Sequence, residues 1–258
     1  MTPRPPLAPA PPLAVVAARI DEVWRRVRAS GRDPATVRLV AVTKGFDVSA
    51  VTAALAAGVT DIGENYAAEL LGKAASLETA AGDPDVGRSP RWHFLGAVQR
   101  RRVRDLAPVV GCWQTLARAV EGEAIAARAP GARVLVEVDT SGMPGRNGCP
   151  PAAVAQLVGT LQGLDLDVGG LMLVAPPGSP EVAREAFRTT ARLAADLGLE
   201  ELSMGMTQDL EVALEEGATM VRLGRALFGP RPGVVAGLEW AHGNDIDNGP
   251  RPGSSPGS

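Results

Sequence analysis

Eight short apolar segments, each followed by a helical pattern and recurring about every 25 residues, predict an α/β chain folded as a single (β/α)8 TIM barrel with one extra N-terminal helix. A barrel of this kind occupies about 250 residues, and the chain has 258, of which 45% are hydrophobic, enough for a sizeable core. The runner-up is a doubly wound open sheet; eight units and the absence of a G-x-G-x-x-G turn favour the barrel. The barrel is expected over residues 12–238. Residues 1–11, punctuated by proline, and the tail 239–258, dominated by glycine, proline, asparagine and serine, read as disordered.

The extra helix comes first: Leu13, Val16, Ile20, Val23, Trp24 and Val27 share one face until Ser30-Gly31 stops it. Strand one, Val37 to Gly45 (VRLVAVTKG), carries an unbroken apolar run from Leu39 to Val42, as in a strand buried on both faces. Asp47 caps the helix after it, which ends at Gly58. Strand two, Val59 to Tyr66, runs into a polar turn, and the helix from Ala67 carries Leu70, Leu71 and Leu77. The stretch GDPDVGRSP is rich in turn formers and reads as an exposed loop. Strand three (Arg91 to Gly96) precedes a basic helix, AVQRRRVRDL. Strand four (Val109 to Leu116) precedes an alanine-rich one. Strand five, Arg133 to Asp139, leads through a glycine- and proline-rich loop to a helix over Ala152 to Gly163. Strand six (Val168 to Ala175) is followed by a helix that Ser179 caps with Pro180 at its first position. Strand seven (Glu201 to Met206) precedes a helix capped by Thr207. Strand eight (Thr219 to Gly224) opens a short helical start, RALFG.

Composition narrows the function. A net charge of −3 gives no basic excess to suggest a nucleic-acid binder. No apolar run approaches the ~20 residues that span a bilayer, and the N-terminus lacks the apolar core of a signal peptide. A cytoplasmic protein without membrane partners is therefore expected. Two cysteines, Cys112 and Cys149, and two histidines leave no His/Cys zinc site by spacing. A Ser-His-Asp hydrolase would need His93 as its base, and no G-x-S-x-G elbow accompanies it.

Ligands bind a barrel at the carboxyl ends of its strands. Lys44 stands at that end of strand one, where it is either a solvated terminal charge or a partly desolvated amine able to form a Schiff base. Strands seven and eight hold Ser203 and Gly205 in SMGMT, then Gly224 and Arg225 opening a short helix. These are either tight turns or a phosphate cradle. Arg222, two residues before Gly224, aims at the same mouth, and a buried arginine needs an acid or a ligand. A lysine on strand one opposite such a cradle is a constellation for pyridoxal 5′-phosphate. His93 reads as a core residue or a ring contact, Met172 as packing within the barrel or near a cofactor, and Arg100 to Arg104 as a solvated helix face.

The segments LVAVTKG, DIGENYAAELLGKA, RWHFLGAVQRRRV, VLVEVDTSG…GRNGC, GLMLVAP and LSMGMTQDLEVALEEGATMVRLGRALFG cover about 37–231 in order. Together they resemble the YggS/PROSC family of pyridoxal-phosphate homeostasis proteins, whose fold is a single barrel similar to the N-terminal domain of alanine racemase. The resemblance implies Lys44 as the lysine that forms the aldimine, Asn65 as a ring-side contact, Ser203, Gly224 and Arg225 at the phosphate, and Arg222 facing the ring nitrogen. A guanidinium can only donate there. The ring nitrogen then stays unprotonated and is a weaker electron sink than one paired with aspartate, which argues against transaminase or decarboxylase chemistry. Two positions depart from the family. After WHFLG it usually has His-Leu-Gln-x-Asn-Lys, where this chain has Ala97 to Arg102, and Arg225 replaces a usual threonine.

Two functions follow from the resemblance. One is a carrier that holds pyridoxal phosphate and passes it to cofactor-dependent apoenzymes, without robust catalysis and as a monomer. The alternative is an amino-acid racemase. That reaction needs a second acid/base on the opposite face, which in alanine racemase comes from an additional β domain. The single tyrosine here, Tyr66, belongs to the barrel itself, so the carrier is preferred.

Overall fold

In a computed structural model, residues 6–80 and 89–230 are described. They form a closed parallel barrel of eight strands in sequential order, β1 Arg38–Val42, β2 Asp61–Glu64, β3 Arg91–Phe94, β4 Val110–Leu116, β5 Arg133–Val138, β6 Asp167–Leu173, β7 Glu201–Ser203 and β8 Met220–Leu223. The helices are α1 Leu13–Ala29, α2 Val48–Ala56, α3 Ala67–Ala80, α4 Arg100–Leu106, α5 Ala119–Ala126, α6 Val154–Gly163, α7 Pro180–Asp196, α8 Leu210–Glu215 and α9 Arg225–Phe228. The expected barrel and its added helix are therefore present, with most strands shorter by a residue or two at their ends. The exposed-loop reading falls mostly on 81–88, and the tail 239–258 and the barrel limit at 238 lie outside the described residues.

Strand alternation sorts the side chains into two compartments. Ile62, Trp113 and Leu171 face outward into the aliphatic shell beneath the helices, whereas Cys112, Leu135 and Met172 pack inside the barrel. The interior also holds Val40 and Met220 and the polar side chains of His93, Gln114, Ser203 and Arg222. At the amino-terminal end, the residues that begin strands pair with one another: Arg38 bonds Glu201 at 2.9 Å and Arg133 bonds Asp167 at 2.7 Å. His93 and Asp61 meet there at 2.8 Å.

The added helix has a structural task. Among the described residues, strand β8 is followed by the four-residue α9, which is too short to cover the seam between β8 and β1. Helix α1 fills that place, packing on α2, α8 and α9 through Val16, Ile20, Val23 and Val27, all buried. Leu13, expected on the same face, is exposed, and Trp24 is partly buried. Arginines fasten its polar flank: Arg26 grips Glu211 through both Nε and Nη2, and Arg19 donates to the Leu227 carbonyl at 3.0 Å.

Several local expectations change. Of residues 1–11, 1–5 lie outside the described residues, but Ala8 bridges Phe46, taking its N–H to the Gly45 carbonyl at 3.2 Å, and Ala10 N–H donates to Ser49 Oγ at 2.8 Å. The start of the chain is thus docked beside the loop after β1. Strand β7 stops at Ser203 because Gly205 turns with φ +98°. Thr207 does not cap α8: Asp209 stands at that position, and the Thr207 hydroxyl accepts from Ala226 N–H at 3.3 Å instead. Ser179 does stand at the N-cap of α7, although its hydroxyl makes no capping bond. No described helix is long and apolar enough to cross a membrane.

If α1 completes the barrel wall, Ile20→Ala, which empties a buried contact, is expected to cost about 2–5 kcal/mol in urea unfolding. Val15→Ala on the exposed face should stay within about 0.5 kcal/mol of the parent. Equal effects from the two would show that α1 is an appendage.

Candidate functional site

The closing seam of the barrel places the chemistry. β1 and β8 pair with Ala41 beside Leu223, so Lys44 and Gly224 emerge next to each other at the carboxyl ends of adjacent strands. The expectation of a lysine opposite the β7–β8 turns becomes, in the closed barrel, a lysine beside them. Gly224 is needed for this approach: a Cβ there would stand 3.0 Å from the Val42 carbonyl oxygen.

The turn that carries Lys44 is braced from below. Gly45 takes a φ of +83°, a conformation that favours glycine, and its N–H donates to Glu69 Oε2 at 2.8 Å. Thr43 donates its hydroxyl to Glu64 Oε1 at 2.6 Å and its N–H to the Gly63 carbonyl at 3.1 Å. The ammonium of Lys73, from α3, bonds Glu64 Oε1 and reaches the Thr43 carbonyl at 2.8 Å. Both Lys73 and Glu64 are buried. Burial pushes the Glu64 carboxyl above the usual carboxylate range, while Lys73 and the Thr43 hydroxyl pull it back. Lys44 and Lys73 are the two lysines of the entire chain: one is locked beneath the turn, the other is half-buried at the mouth.

Arg222 reaches into the barrel from β8. Its Nη1 donates to the Ser203 carbonyl at 2.6 Å and to Ser203 Oγ at 2.8 Å, and its Nη2 donates to the Leu173 carbonyl at 2.8 Å. A guanidinium has five N–H groups, so two remain beyond these bonds. Burial pushes the Arg222 pKa down to about 10, with Asp209 and Glu137 opposing, and the group stays charged at neutral pH. Ser203, expected near a phosphate, has its hydroxyl committed inside the barrel, donating to Gln114 Oε1 at 2.6 Å. Thr207 stands instead beside the start of α9, on the Ala226 amide.

Asn65 lies in the loop after β2, with Nδ2 3.4 Å from the Leu95 carbonyl and its buried Oδ1 unpartnered. Met172 packs inside the barrel on Cys112 and Leu135. The seven expected site residues thus fall on the neighbouring strands β6, β7, β8, β1 and β2 or the turns that follow them. Sequence reasoning missed Thr43, Glu64, Glu69, Lys73, Gln114 and Thr207. The i,i+4 pair Glu69–Lys73 on an apolar helix was the available signal. His93 is fully buried as a core residue. The arginines of α4 are exposed, and Arg100, Arg101 and Arg104 line an outer cleft of about 450 Å³ with Arg128. Among the described residues no group of acidic, histidine and cysteine side chains has the makings of a metal site.

The candidate site thus lies at the β1–β8 seam of a closed parallel barrel whose strands run in sequential order. The family model described as the alanine racemase N-terminal domain matches residues 15–232, and the chain belongs to that family. Among curated relatives, the pyridoxal phosphate homeostasis protein of Pseudomonas aeruginosa is 38% identical over 227 residues, covering 85% of this chain and 94% of that one. The protein of the same name from Deinococcus radiodurans is 37% identical, covering 77% and 92%. Among solved structures, PipY of Synechococcus elongatus with pyridoxal phosphate bound superposes with a TM-score of 0.71 at 29% identity, covering 83% of this chain and all of that one.

Two outcomes test the site's electrostatics. Lys73→Met leaves Glu64 buried without its cation and is expected to lower unfolding stability by about 3–5 kcal/mol. A loss under about 1 kcal/mol would remove the buried pair from this account. His93 is held below its ordinary pKa by burial against the opposing pull of Asp61, with Arg91 and Arg38 also lowering it. Its neutral form therefore contributes stability above the unfolded value of about 6.5, and this is lost as pH falls toward the lower folded value. The stability difference between wild type and His93→Gln is expected to shrink between pH 7.5 and 5.5; a constant difference would contradict the assignment.

Proposed function

We propose that this chain binds pyridoxal 5′-phosphate at the carboxyl-terminal mouth, held covalently by Lys44, and carries it for use by cofactor-dependent apoenzymes. The observation that carries the reading is that the Lys44 turn, the close backbone approach at Gly224 and the buried Arg222, with two N–H groups beyond its bonds, all belong to the β1–β8 seam. The bound cofactor in PipY and the names of the curated relatives support the same ligand.

The residues present suit this ligand. Pyridoxal phosphate brings an aldehyde that condenses with a primary amine, releasing water, and a pyridine ring whose nitrogen accepts a hydrogen bond. Lys44 supplies the amine. Arg222 donates to the ring nitrogen and, always charged, gives it no proton. The backbone around Gly224 and Arg225, with the Thr207 hydroxyl, receives the phosphate, so the replacement of a family threonine by Arg225 is tolerated through the amide. Asn65, whose buried Oδ1 is unpartnered, would contact the ring. Met172, packed inside the barrel on Cys112 and Leu135, would add apolar contact, and Ser203 acts one step back by holding Arg222.

The carrier reading also rests on what a racemase requires, a second acid/base facing Lys44. The single tyrosine, Tyr66, sits in the loop between β2 and α3 of the same barrel. We assign the carrier to the cytoplasm, acting as a monomer.

The test is the visible spectrum of the protein loaded with pyridoxal phosphate, wild type beside Lys44→Ala, with alanine racemase activity assayed on the same samples. The visible band of an amine-linked cofactor should appear in wild type only, with no racemisation above background. A band retained in Lys44→Ala would overturn the lysine assignment, and robust racemisation would replace the carrier by the enzyme.

A further inference from the structure

A continuous chain of buried side chains runs through the barrel interior from its amino-terminal end to Arg222. Asp61 Oδ1 lies 2.8 Å from His93 Nε2, His93 Nδ1 lies 2.6 Å from Gln114 Nε2, Gln114 Oε1 lies 2.6 Å from Ser203 Oγ, and Ser203 Oγ lies 2.8 Å from Arg222 Nη1. Four strands, β2, β3, β4 and β7, each contribute one link, and β8 contributes the last. His93, Gln114 and Ser203 are fully buried.

Proton counting gives this chain one direction. Arg222 can only donate, so Ser203 Oγ accepts from it, and the single hydroxyl proton of Ser203 goes to Gln114 Oε1. That fixes the amide: Gln114 Nε2 faces His93 and also donates to Met220 Sδ at 3.0 Å. Because an amide nitrogen only donates, His93 Nδ1 must accept, and the imidazole is the neutral tautomer with its proton on Nε2. That proton goes to Asp61, an ionised acceptor: burial raises its pKa, but the hydrogen bond from His93 and the charges of Arg38 and Arg91 outweigh this and hold it low. Every rotor and tautomer between Arg222 and Asp61 is therefore determined. With the imidazole proton on Nε2 toward Asp61, a reversed amide would set Gln114 Oε1 against the His93 Nδ1 lone pair and Met220 Sδ, and would take from the Ser203 hydroxyl proton its carbonyl acceptor.

We propose that Asp61, His93, Gln114 and Ser203 form a positioning relay that fixes which two N–H groups of Arg222 face the mouth, and so tunes affinity for the pyridine nitrogen of the cofactor. This rests on the reading of the mouth as a pyridoxal phosphate site. None of the four residues touches the cofactor in that reading. They act by holding the guanidinium plane, with three of its N–H groups committed to Ser203 and to the Leu173 carbonyl. Loss of one buried link leaves the next group unpartnered and the guanidinium held only by the Ser203 and Leu173 carbonyls, a looser seat.

The test has two arms on the full-length protein. In the first, imidazole 15N NMR of a His242→Gln protein, whose remaining histidine is His93, reads the tautomer without any cofactor. The relay predicts a protonated Nε2 and an unprotonated Nδ1 at pH 7.5; the opposite tautomer or an imidazolium overturns it. In the second, Kd for pyridoxal phosphate is measured for wild type, Ser203→Ala, Ser203→Thr and Gln114→Met, alongside their melting temperatures. The two deletions should weaken binding about tenfold, about 1.4 kcal/mol, and the hydroxyl-bearing Ser203→Thr should recover most of it. Bound cofactor with Kd unchanged within twofold in both deletions overturns the relay alone. A wild type that binds no cofactor overturns the relay together with the reading of the site. A Kd that only follows the loss of melting temperature, with no recovery in Ser203→Thr, shows general loosening and also overturns it.

Discussion

Everything at the mouth depends on a buried ammonium. Lys73 sits beneath the turn after β1 with its charge bonded to Glu64 and to the Thr43 carbonyl. An unpaired ion in that place would be costly by several kcal/mol, so the turn has little freedom to depart from the arrangement that pairs it. Glu69, one helical turn before Lys73, takes the Gly45 N–H, and Gly63 and Glu64 of β2 hold Thr43. The backbone on both sides of Lys44 is thus set by contacts that leave its own side chain out. The Lys44 side chain is presented from a fixed base, the arrangement a covalent ligand site requires.

The closed strand order supplies the second constraint. Because β8 returns to β1, the Gly224 turn and the Lys44 turn become neighbours although some 180 residues of chain separate them. The polar interior then links the two ends of the barrel. An all-aliphatic filling would favour stability, and His93, Gln114, Ser203 and Arg222 occupy much of that space instead. They are tolerated because they are hydrogen-bonded link by link from Asp61 to Arg222, and what they deliver is the orientation of one guanidinium.

Much of the fold was legible in the sequence because its signals are local. Alternation in RVLVEVD, the apolar run of β1 and the 3.6-residue period of α1 follow directly from backbone geometry. Lys44, Arg222 and Gly224 were legible as well, since the end of a barrel strand is a place definable from sequence. The exceptions are instructive. Lys73 read as one more polar residue on a helix dominated by Leu70, Leu71 and Leu77; its burial depends on Glu64, nine positions away on a different element. Thr207 carries the signature of a helix cap, yet the turn at Gly205 swings it toward α9. Ser203 looked like a mouth residue until the register Met172 beside Ser203 placed it inside. Each miss is a matter of register or of contact between distant segments, which local pattern does not encode.

The central claim is that Lys44, and not Lys73, is the lysine that holds the cofactor. A chain with only two lysines makes the decision clean. The most direct measurement is borohydride reduction of the protein loaded with pyridoxal phosphate, followed by tryptic peptide mass mapping. The account predicts the pyridoxyl mass on the peptide containing Lys44, with cleavage after that residue blocked and Lys73 unmodified. The mass on Lys73, or on neither lysine, would contradict it.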